Sequence, residues 1–159
     1  MKLLVCAMET SSNIHLKELK KYLSDDVELF GVFDKELGNP LYDLTALAIM
    51  GIVDAVKKLR FFFKLRDELV LLAKDCDKVL LMDSSGFNLP LAKKLRETYP
   101  EKEIIYYILP QAWAWKKGRV AKLEKYCSKL CSIIPFESEI YNDKNKITYV
   151  GHPLLGCPT

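Results

Sequence analysis

The sequence has little of several features that would mark a specialised class of protein. Its 159 residues include only two histidines and carry a formal net charge of only +3. So small a positive charge does not indicate a nucleic-acid-binding surface, and we expect no nucleic-acid partner. No uncharged apolar run approaches the roughly 20 residues of a transmembrane helix. The first apolar run, which ends before Glu9, is too short for a signal peptide.

The cysteines do not form a recognisable framework. They are five in number and irregularly spaced: Cys6, Cys76, Cys127, Cys131 and Cys157. An odd count with irregular spacing argues against a secreted disulfide scaffold. Cys127 and Cys131 lie four apart, but no second pair and no nearby histidine completes a set of zinc ligands. We therefore expect reduced structural cysteines, no metal site and a cytoplasmic protein.

What the sequence does have is an alternation of apolar strand-like runs and helical runs. The predicted strands are Lys2–Met8, Val27–Phe33, Lys78–Met82, Glu103–Leu109, Leu130–Ile134 and Lys146–Val150. The predicted helices are Ile14–Tyr22, Met50–Lys74, Leu89–Tyr99, Gln111–Tyr126 and a short one at Glu137–Asn142. Apolar strands separated by helices predict an α/β fold, a doubly wound parallel sheet covered on both faces.

Polar residues follow four of the predicted strands, at the carboxyl ends where ligands of such sheets bind. These segments are Glu9–Asn13, Asp83–Asn88, Pro110–Arg119 and Gly151–Pro153. None of them carries the glycine-rich fingerprint of a dinucleotide loop. Of the two histidines, His152 lies in the last segment and is the better site candidate, whereas His15 falls in the first helix.

The first two segments place carboxylates directly after apolar strands. Ser11, Ser12 and Asn13 are natural helix caps, and a helix start also holds anions. Glu9 is harder to explain as a cap and suggests contact with a sugar hydroxyl or a basic partner. Asp83 has two interpretations: it caps the turn into the helix near Asn88, or it is a general base, a role that suits a partly desolvated carboxylate.

The third segment concentrates aromatic and cationic side chains. It holds Gln111, two tryptophans and three cations within ten residues. Trp113 and Trp115 are two apart, so they cannot both face one side of a helix. One interpretation is stacking on a sugar or base by Trp115, with Lys116 and Arg119 near a phosphate. The other is a single core tryptophan beside a solvated basic helix end.

The long helix predicted at Met50–Lys74 is apolar on two sides. One stripe, predicted to face the core, is Ile52, Val56, Leu59, Phe63 and Val70. The other is Phe61, Leu65, Leu69 and Leu72, with lysines and arginines interleaved. A helix of this kind lies in a membrane interface, or is enclosed within the protein or in a homodimer contact. We expect the surface around Phe61, Phe62 and Leu65 to bind anionic lipid.

Several of these segments resemble motifs of the lipid-A-disaccharide synthases, glycosyltransferases with the two-domain GT-B fold. The similar segments are Leu47–Asp54 with its Met-Gly-Ile-Val, Asp83–Asn88, Tyr107–Lys116 with its Trp-Ala-Trp, Ile134–Glu137 and Val150–Leu154. Glu9 and Ser11 align with the family's opening motif, and Arg119 with an arginine that follows the tryptophans. The likeness runs through the whole chain.

The resemblance implies an activity and its partners. The enzyme would transfer 2,3-diacylglucosamine from UDP to 2,3-diacylglucosamine 1-phosphate, with inversion and without a cofactor, forming a β-1,6 disaccharide. It would be a peripheral protein on the cytoplasmic face of the inner membrane of a Gram-negative bacterium. Residues 1–155 would form the acceptor-side Rossmann-like domain, residues 156–159 a tail, and the donor domain would be absent, so that this chain alone would be inactive.

The resemblance also implies roles for individual residues. Asp83 would be the general base and Glu9 would assist it. The expected substrate contacts are Ser11, Asn13, Asn88, Gln111, Trp115, Lys116, Arg119 and His152. The expected membrane or acyl-chain contacts are Met50, Ile52, Val53, Phe61, Phe62 and Leu65.

The chain departs from the family pattern at several of these positions. Ser85 and Gly86 replace a proline and a second aspartate, while Ser12 and Asn13 replace a glycine and an aspartate. Two alternatives therefore stay open: the amino-terminal domain of another GT-B enzyme acting on lipid-linked sugars, and a membrane-surface binding domain without catalysis.

Overall fold

A computed structural model of the chain describes residues 1–42, 55–109, 117–132, 141 and 145–150. The strands are β1 (Lys2–Cys6), β2 (Glu28–Val32), β3 (Lys78–Met82), β4 (Glu103–Tyr107), β5 (Lys129–Ser132) and β6 (Ile147–Tyr149). The helices are α1 (Thr10–Lys20), α2 (Ala55–Ala73), α3 (Ser85–Thr98) and α4 (Lys117–Tyr126), with a 3-10 turn at Lys35–Leu37.

The strands form one parallel sheet in the order β2-β1-β3-β4-β5-β6. This arrangement confirms the predicted doubly wound α/β fold and all six predicted strands. The strand order reverses direction between β1 and β3, because the chain leaves β1 toward β2 on one side and later builds β3 to β6 on the other. That reversal creates a crevice at the carboxyl ends of β1 and β3.

Alternate residues of each strand enter two separate cores, one on each face of the sheet. Leu4 and Cys6 of β1 belong to the larger core, which α2, α3 and α4 cover. Leu3 and Val5 belong to the smaller core, which α1 covers through Leu16. The period-two alternation of a strand thus explains why apolar runs without polar interruption were needed to build this sheet.

The orientation of α2 is opposite to the one predicted from its apolar stripes. Leu65 and Leu69 are fully buried, whereas Leu59 and Phe63, predicted to face the core, are 56% and 48% exposed. The prediction that Leu65 faces outward, as part of a lipid-binding surface, is therefore wrong. Val70, by contrast, is buried as expected. Two apolar stripes of similar strength cannot be ranked by periodicity, so the choice depends on which stripe fits the sheet.

A row of aromatic rings occupies the amino-terminal half of the buried side of α2. Phe61 packs edge-on against Tyr42, with 5.4 Å between ring centroids, and lies 5.9 Å from Phe62. Phe62 in turn lies 5.7 Å from Phe87 in α3. These rings are only partly buried. Phe61 and Phe62 are therefore held within the protein surface by other aromatic side chains and do not project freely from it.

Helix starts also differ from those predicted. Helix α1 begins at Thr10 with Glu9 as its N-cap, and no side chain makes a capping hydrogen bond there. The capping predicted for Ser11, Ser12 and Asn13 is therefore wrong, because these residues lie inside the first turn. Helix α3 begins at Ser85, four residues before the predicted start.

The described cysteines match the prediction of reduced structural thiols. The four described cysteines are free, and burial raises the pKa of Cys127 to about 12, as for an inert structural thiol.

Of the helix predicted at Glu137–Asn142 only Tyr141 is described, and it is buried. The first residues of the predicted helices at Met50 and Gln111 lie outside the described ranges. Among the described helices, none is long and apolar enough to cross a membrane.

Candidate active site at the carboxyl edge of the sheet

The fold brings Glu9 and Asp83 together at the crevice between β1 and β3. Glu9 follows β1 after Ala7 and Met8, and Asp83 follows β3 directly. The two residues are 74 positions apart in the sequence, yet a hydrogen bond links their segments: the Ser84 hydroxyl donates to Glu9 Oε1 at 3.1 Å. Two carboxylates and a hydroxyl thus share the position where ligands bind in open α/β sheets.

The backbone at Asp83 is held in an unusual conformation. Asp83 and Ser84 both have positive φ angles, of 48° and 42°, in the left-handed region that non-glycine residues rarely adopt. Such residues each cost about 1–3 kcal/mol and persist only where their surroundings hold them. Consecutive left-handed residues turn the chain sharply between β3 and α3, so that Asp83 lies at the mouth of the crevice.

Three groups hold that conformation through the main chain of Asp83. Its backbone N–H donates to the carbonyl oxygen of Ile108 at 3.1 Å. Its own carbonyl oxygen accepts from Asn88 Nδ2 at 2.9 Å and from the hydroxyl of Tyr106. Asn88 and Tyr106 are both fully buried. The position of Asp83 is therefore set by groups from α3, β4 and the residue after β4.

The environment of Asp83 raises the pKa of its carboxyl group. Partial burial is the main cause, the negative charge of Glu9 adds to it, and a hydrogen bond from the Ser84 backbone opposes it. A carboxylate that is partly desolvated and close to a second carboxylate is a better proton acceptor than an exposed one. This geometry supports the interpretation of Asp83 as a general base over that of a helix cap, since Ser84 occupies the N-cap position of α3.

Asn13 has a structural role in the same region. Its side-chain Nδ2 donates to the carbonyl oxygens of Ala7 and Glu9, at 2.9 and 2.8 Å, and its Oδ1 accepts from the backbone N–H of Asp34 at 2.7 Å. It is buried, with 6% of its surface exposed. The amide therefore ties β1 and α1 to the segment after β2. Its predicted contact with a substrate stays a prediction.

The remaining predicted site residues fall into two groups. Ser11 is exposed on the first turn of α1, on the same edge of the sheet as Glu9. The predicted substrate contacts Gln111, Trp115, Lys116 and His152 and the predicted membrane contacts Met50, Ile52 and Val53 lie outside the described residues, as does the side chain of Arg119. Within the described ranges, no group of three or more His, Cys, Asp or Glu side chains is placed to hold a metal ion.

Sequence reasoning missed two residues of this site, Ser84 and Tyr106. Ser84 lies inside the predicted site segment Asp83–Asn88. Its hydrogen bond to Glu9 could not be predicted without knowing that β1 and β3 are neighbours in the sheet. Tyr106 lies in the predicted fourth strand, as one of two adjacent tyrosines. In the sequence, the one indication of its role is a phenolic hydroxyl inside an otherwise apolar run. A buried hydroxyl needs a hydrogen-bond partner, so such a tyrosine indicates a polar contact in the core.

Comparison with known proteins gives a consistent result. The sequence profile described as lipid-A-disaccharide synthetase matches residues 3–157. The chain is 53% identical over 153 residues to the lipid-A-disaccharide synthase of Helicobacter pylori strain HPAG1, covering 96% of this chain and 41% of that protein. The Campylobacter jejuni strain RM1221 protein of the same name is 43% identical over 164 residues, covering 96% of this chain and 44% of that relative. The chain thus spans about two fifths of the length of these relatives.

Proposed function

This chain belongs to the lipid-A-disaccharide synthetase family, and we propose that it supplies the acceptor-binding side and the general base of a GT-B glycosyltransferase. The proposed donor is UDP-2,3-diacylglucosamine and the proposed acceptor is 2,3-diacylglucosamine 1-phosphate. Asp83 takes the proton of the acceptor 6-hydroxyl as that oxygen attacks the anomeric carbon of the donor. The bond from this carbon to the UDP oxygen breaks, UDP leaves with the electron pair, and the configuration inverts.

One observation carries this proposal: a partly buried carboxylate with a raised pKa lies at the reversal point of the sheet, beside a second carboxylate. The raised pKa brings the proton affinity of Asp83 closer to neutral pH, where a general base works best. Glu9 contributes in two ways, since its charge raises the pKa of Asp83 and its Oε1 anchors Ser84. Asn88 and Tyr106 act through the backbone of Asp83 as positioning residues.

The experiment that tests this role is Asp83→Asn in a hybrid in which this chain continues into the carboxyl-terminal part of the Helicobacter pylori relative. Turnover should fall by on the order of a hundredfold or more, as loss of a general base does. The matched control is Asp75→Asn, an exposed aspartate at the opposite edge of the sheet, between α2 and β3. Turnover within a few-fold of the parent hybrid in a folded Asp83→Asn variant would exclude Asp83 as the base.

We also propose that the 159 residues alone bind substrate weakly and do not catalyse transfer. In a GT-B enzyme the nucleotide is held mainly by the carboxyl-terminal domain, and catalysis requires donor and acceptor to be held together. Affinity for UDP should be near millimolar or weaker, about −4 kcal/mol. Isothermal titration with UDP checks this expectation, and micromolar binding or measurable disaccharide formation by the chain itself would contradict it.

The exposed side of α2 supports a second element of the proposal, contact with membrane lipid at the cytoplasmic face of the inner membrane. Leu59 and Phe63 are about half exposed and lie one turn apart, so they share a face. Arg60 and the largely exposed Lys64 flank them. Apolar side chains with a cationic fringe suit the surface of an anionic bilayer. A homodimer contact through the same face is the alternative that the vesicle experiments below would distinguish.

The aromatic row supports a third element, contact with the acyl chains of the substrates. Tyr42, Phe61, Phe62 and Phe87 are partly exposed and form a continuous series of ring contacts. Phe87 is only four residues from Asp83 along the chain. We propose that the acyl chains lie along this row while the sugar of the acceptor occupies the crevice.

A further inference from the structure

A groove of about 420 Å³ opens among α2, α3 and α4, on the face of the sheet that these three helices cover. Its cationic lining consists of Arg66 from α2, Lys93 and Lys94 from α3, and Lys122 from α4. Lys93 lies eight residues after the start of α3 at Ser85, which corresponds to about 12 Å along the helix axis. None of the described lining residues is among the groups that hold Glu9 and Asp83 in the crevice.

The groove concentrates positive charge. Among the described residues that line it, Glu97 is the one carboxylate, so four cations and one anion leave a local balance of +3. The whole 159-residue chain carries the same formal net charge of +3. Asp67 lies beside the groove and pairs with Lys94 at 3.4 Å, which offsets one of these charges. The remaining excess favours an anionic ligand.

Arg66 adds a directed hydrogen-bond donor to this charge. Its Nε is buried and donates to no acceptor in the described part of the chain. Its guanidinium carbon lies 5.0 Å from the centroid of the Phe63 ring, a cation–π contact that orients the group. A planar, oriented guanidinium suits the oxygens of a phosphate group better than a lysine does.

The groove borders the exposed apolar face of α2. Leu59, Phe63 and Arg66 follow one another at spacings of four and three residues, so they lie along one side of the helix. A phosphate bound at Arg66 would therefore lie next to exposed apolar side chains. A free phosphate ion would gain nothing from these neighbours, whereas a lipid would place its headgroup in the groove and its apolar part against Phe63.

We propose that the groove among α2, α3 and α4 binds the phosphate of an anionic phospholipid headgroup. Arg66 donates hydrogen bonds to the phosphate oxygens, and Lys93, Lys94 and Lys122 supply charge attraction. This inference rests on the proposed contact of α2 with the membrane and adds a specific headgroup site to it. The groove would fix the rotation of the domain on the bilayer surface, which apolar contact alone does not do.

The test is co-sedimentation of the 159-residue chain with two kinds of vesicle, phosphatidylcholine alone and phosphatidylcholine mixed with phosphatidylglycerol. The groove variant is Lys93→Glu with Lys122→Glu; both lysines are exposed, so the fold should tolerate the changes. The matched control is Lys17→Glu with Lys35→Glu, two exposed lysines in α1 and the 3-10 turn. Both pairs take the net charge from +3 to −1, since each Lys→Glu change removes two charges.

The groove variant should lose affinity for phosphatidylglycerol vesicles by at least about tenfold, and the control pair by no more than about threefold. Arg66→Lys keeps the positive charge but removes the planar set of guanidinium N–H donors. It should lower the preference for phosphatidylglycerol vesicles over pure phosphatidylcholine vesicles by several-fold. Equal losses in the groove and control pairs would overturn the proposal, because they would show attraction by net charge alone. An unchanged preference for phosphatidylglycerol in Arg66→Lys would show that the arginine does not contribute to the headgroup site.

Two further measurements separate this proposal from its rivals. Titration with inorganic phosphate should show at most millimolar affinity; tighter binding that Lys93→Glu abolishes would make this a site for free phosphate and overturn the lipid assignment. Leu59→Ser with Phe63→Ser should weaken binding to both kinds of vesicle. Failure of that variant to do so contradicts the membrane contact, whereas failure of the groove variant contradicts only the headgroup site.

Discussion

Asn88 Nδ2 lies 2.9 Å from the backbone carbonyl oxygen of Asp83 and donates a hydrogen bond to it from inside α3. The same nitrogen also donates to the carbonyl oxygen of Met82 at 3.1 Å. One buried amide thus holds both the last residue of β3 and the candidate base. Asp83 and Ser84 have positive φ angles, which persist only where their surroundings hold them. The loss of this amide should therefore displace the Asp83 carboxylate as well as reduce stability.

Replacing Asn88 by Ala should therefore lower the free energy of unfolding by about 1–3 kcal/mol, because the carbonyl oxygens of Met82 and Asp83 each lose one hydrogen-bond donor. Urea unfolding followed by circular dichroism measures the change. Asn39→Ala is the control, since Asn39 is exposed in the loop after the 3-10 turn. An Asn88→Ala midpoint equal to that of the control would mean that the main chain keeps its conformation without this amide.

Tyr106→Phe should lower turnover while the corresponding change at Tyr99 should not. Both hydroxyls donate to backbone carbonyl oxygens, Tyr106 to Asp83 and Tyr99 to Val70 at 2.7 Å. Each change should cost about 0.5–1.5 kcal/mol of stability. Only Tyr106→Phe releases a group next to the candidate base. In the hybrid with the Helicobacter pylori carboxyl-terminal part, kcat should fall several-fold in Tyr106→Phe with little change in KM.

Identical kcat values in the two tyrosine variants would restrict Tyr106 to a stability role. The pH profile provides an independent check, because a shifted Asp83 would experience different burial and a different distance to Glu9. The acidic limb of the profile should therefore move in Tyr106→Phe and stay in place in Tyr99→Phe.

The raised pKa of Asp83 predicts how stability depends on pH. The folded chain binds the Asp83 proton more tightly than the unfolded chain, where the pKa is near the ordinary value of 3.8. Stability from this group is therefore fully present below pH 3.8 and is lost as the pH rises through the folded-state pKa. Asp83→Asn, which cannot ionise, should be more stable than the parent chain at pH 7, with the advantage shrinking toward pH 4.

Urea midpoints of the parent and Asp83→Asn chains at a series of pH values check this sign. A parent chain that is more stable than the variant at pH 7 would contradict the raised pKa. In the catalytically competent hybrid, the same pKa should appear as the acidic limb of the rate profile, at a higher pH than an exposed aspartate would produce.

The exposed side of α2 predicts a contrast between two kinds of apolar substitution. Leu59→Ser with Phe63→Ser should weaken vesicle binding while the far-ultraviolet circular dichroism stays native, because both side chains are about half exposed. Leu65→Ala should instead reduce stability by about 2–5 kcal/mol, since Leu65 is fully buried. Leu71→Ser, at a 72% exposed position near the end of the same helix, is the control for a general loss of apolar surface.

If Leu71→Ser weakens vesicle binding as much as the Leu59 and Phe63 changes do, the contact is not confined to the proposed face. If none of these changes affects sedimentation but gel filtration shows a smaller particle, the face is a homodimer contact. Either result would redirect the role of α2 without affecting the assignment of Asp83.

The sequence by itself determined the layered architecture and the edge on which the chemistry lies. Six apolar runs separated by helical segments require a parallel sheet with helices on both faces, because only buried strands carry uninterrupted apolar residues. The ends of those runs also select Glu9 and Asp83, since a strand ends where its apolar run ends. These features are local in the chain, so composition and spacing are enough to predict them.

Only the tertiary structure decided which groups meet and which way α2 faces. The stripe of α2 that packs was settled by its fit against β1, β2 and α3, because both stripes were apolar enough to be buried. The hydrogen bond from Ser84 to Glu9 joins residues 75 positions apart, and the groove draws on three helices. Such contacts depend on strand order and helix rotation, which are set by packing across the whole domain and leave no local pattern in the sequence.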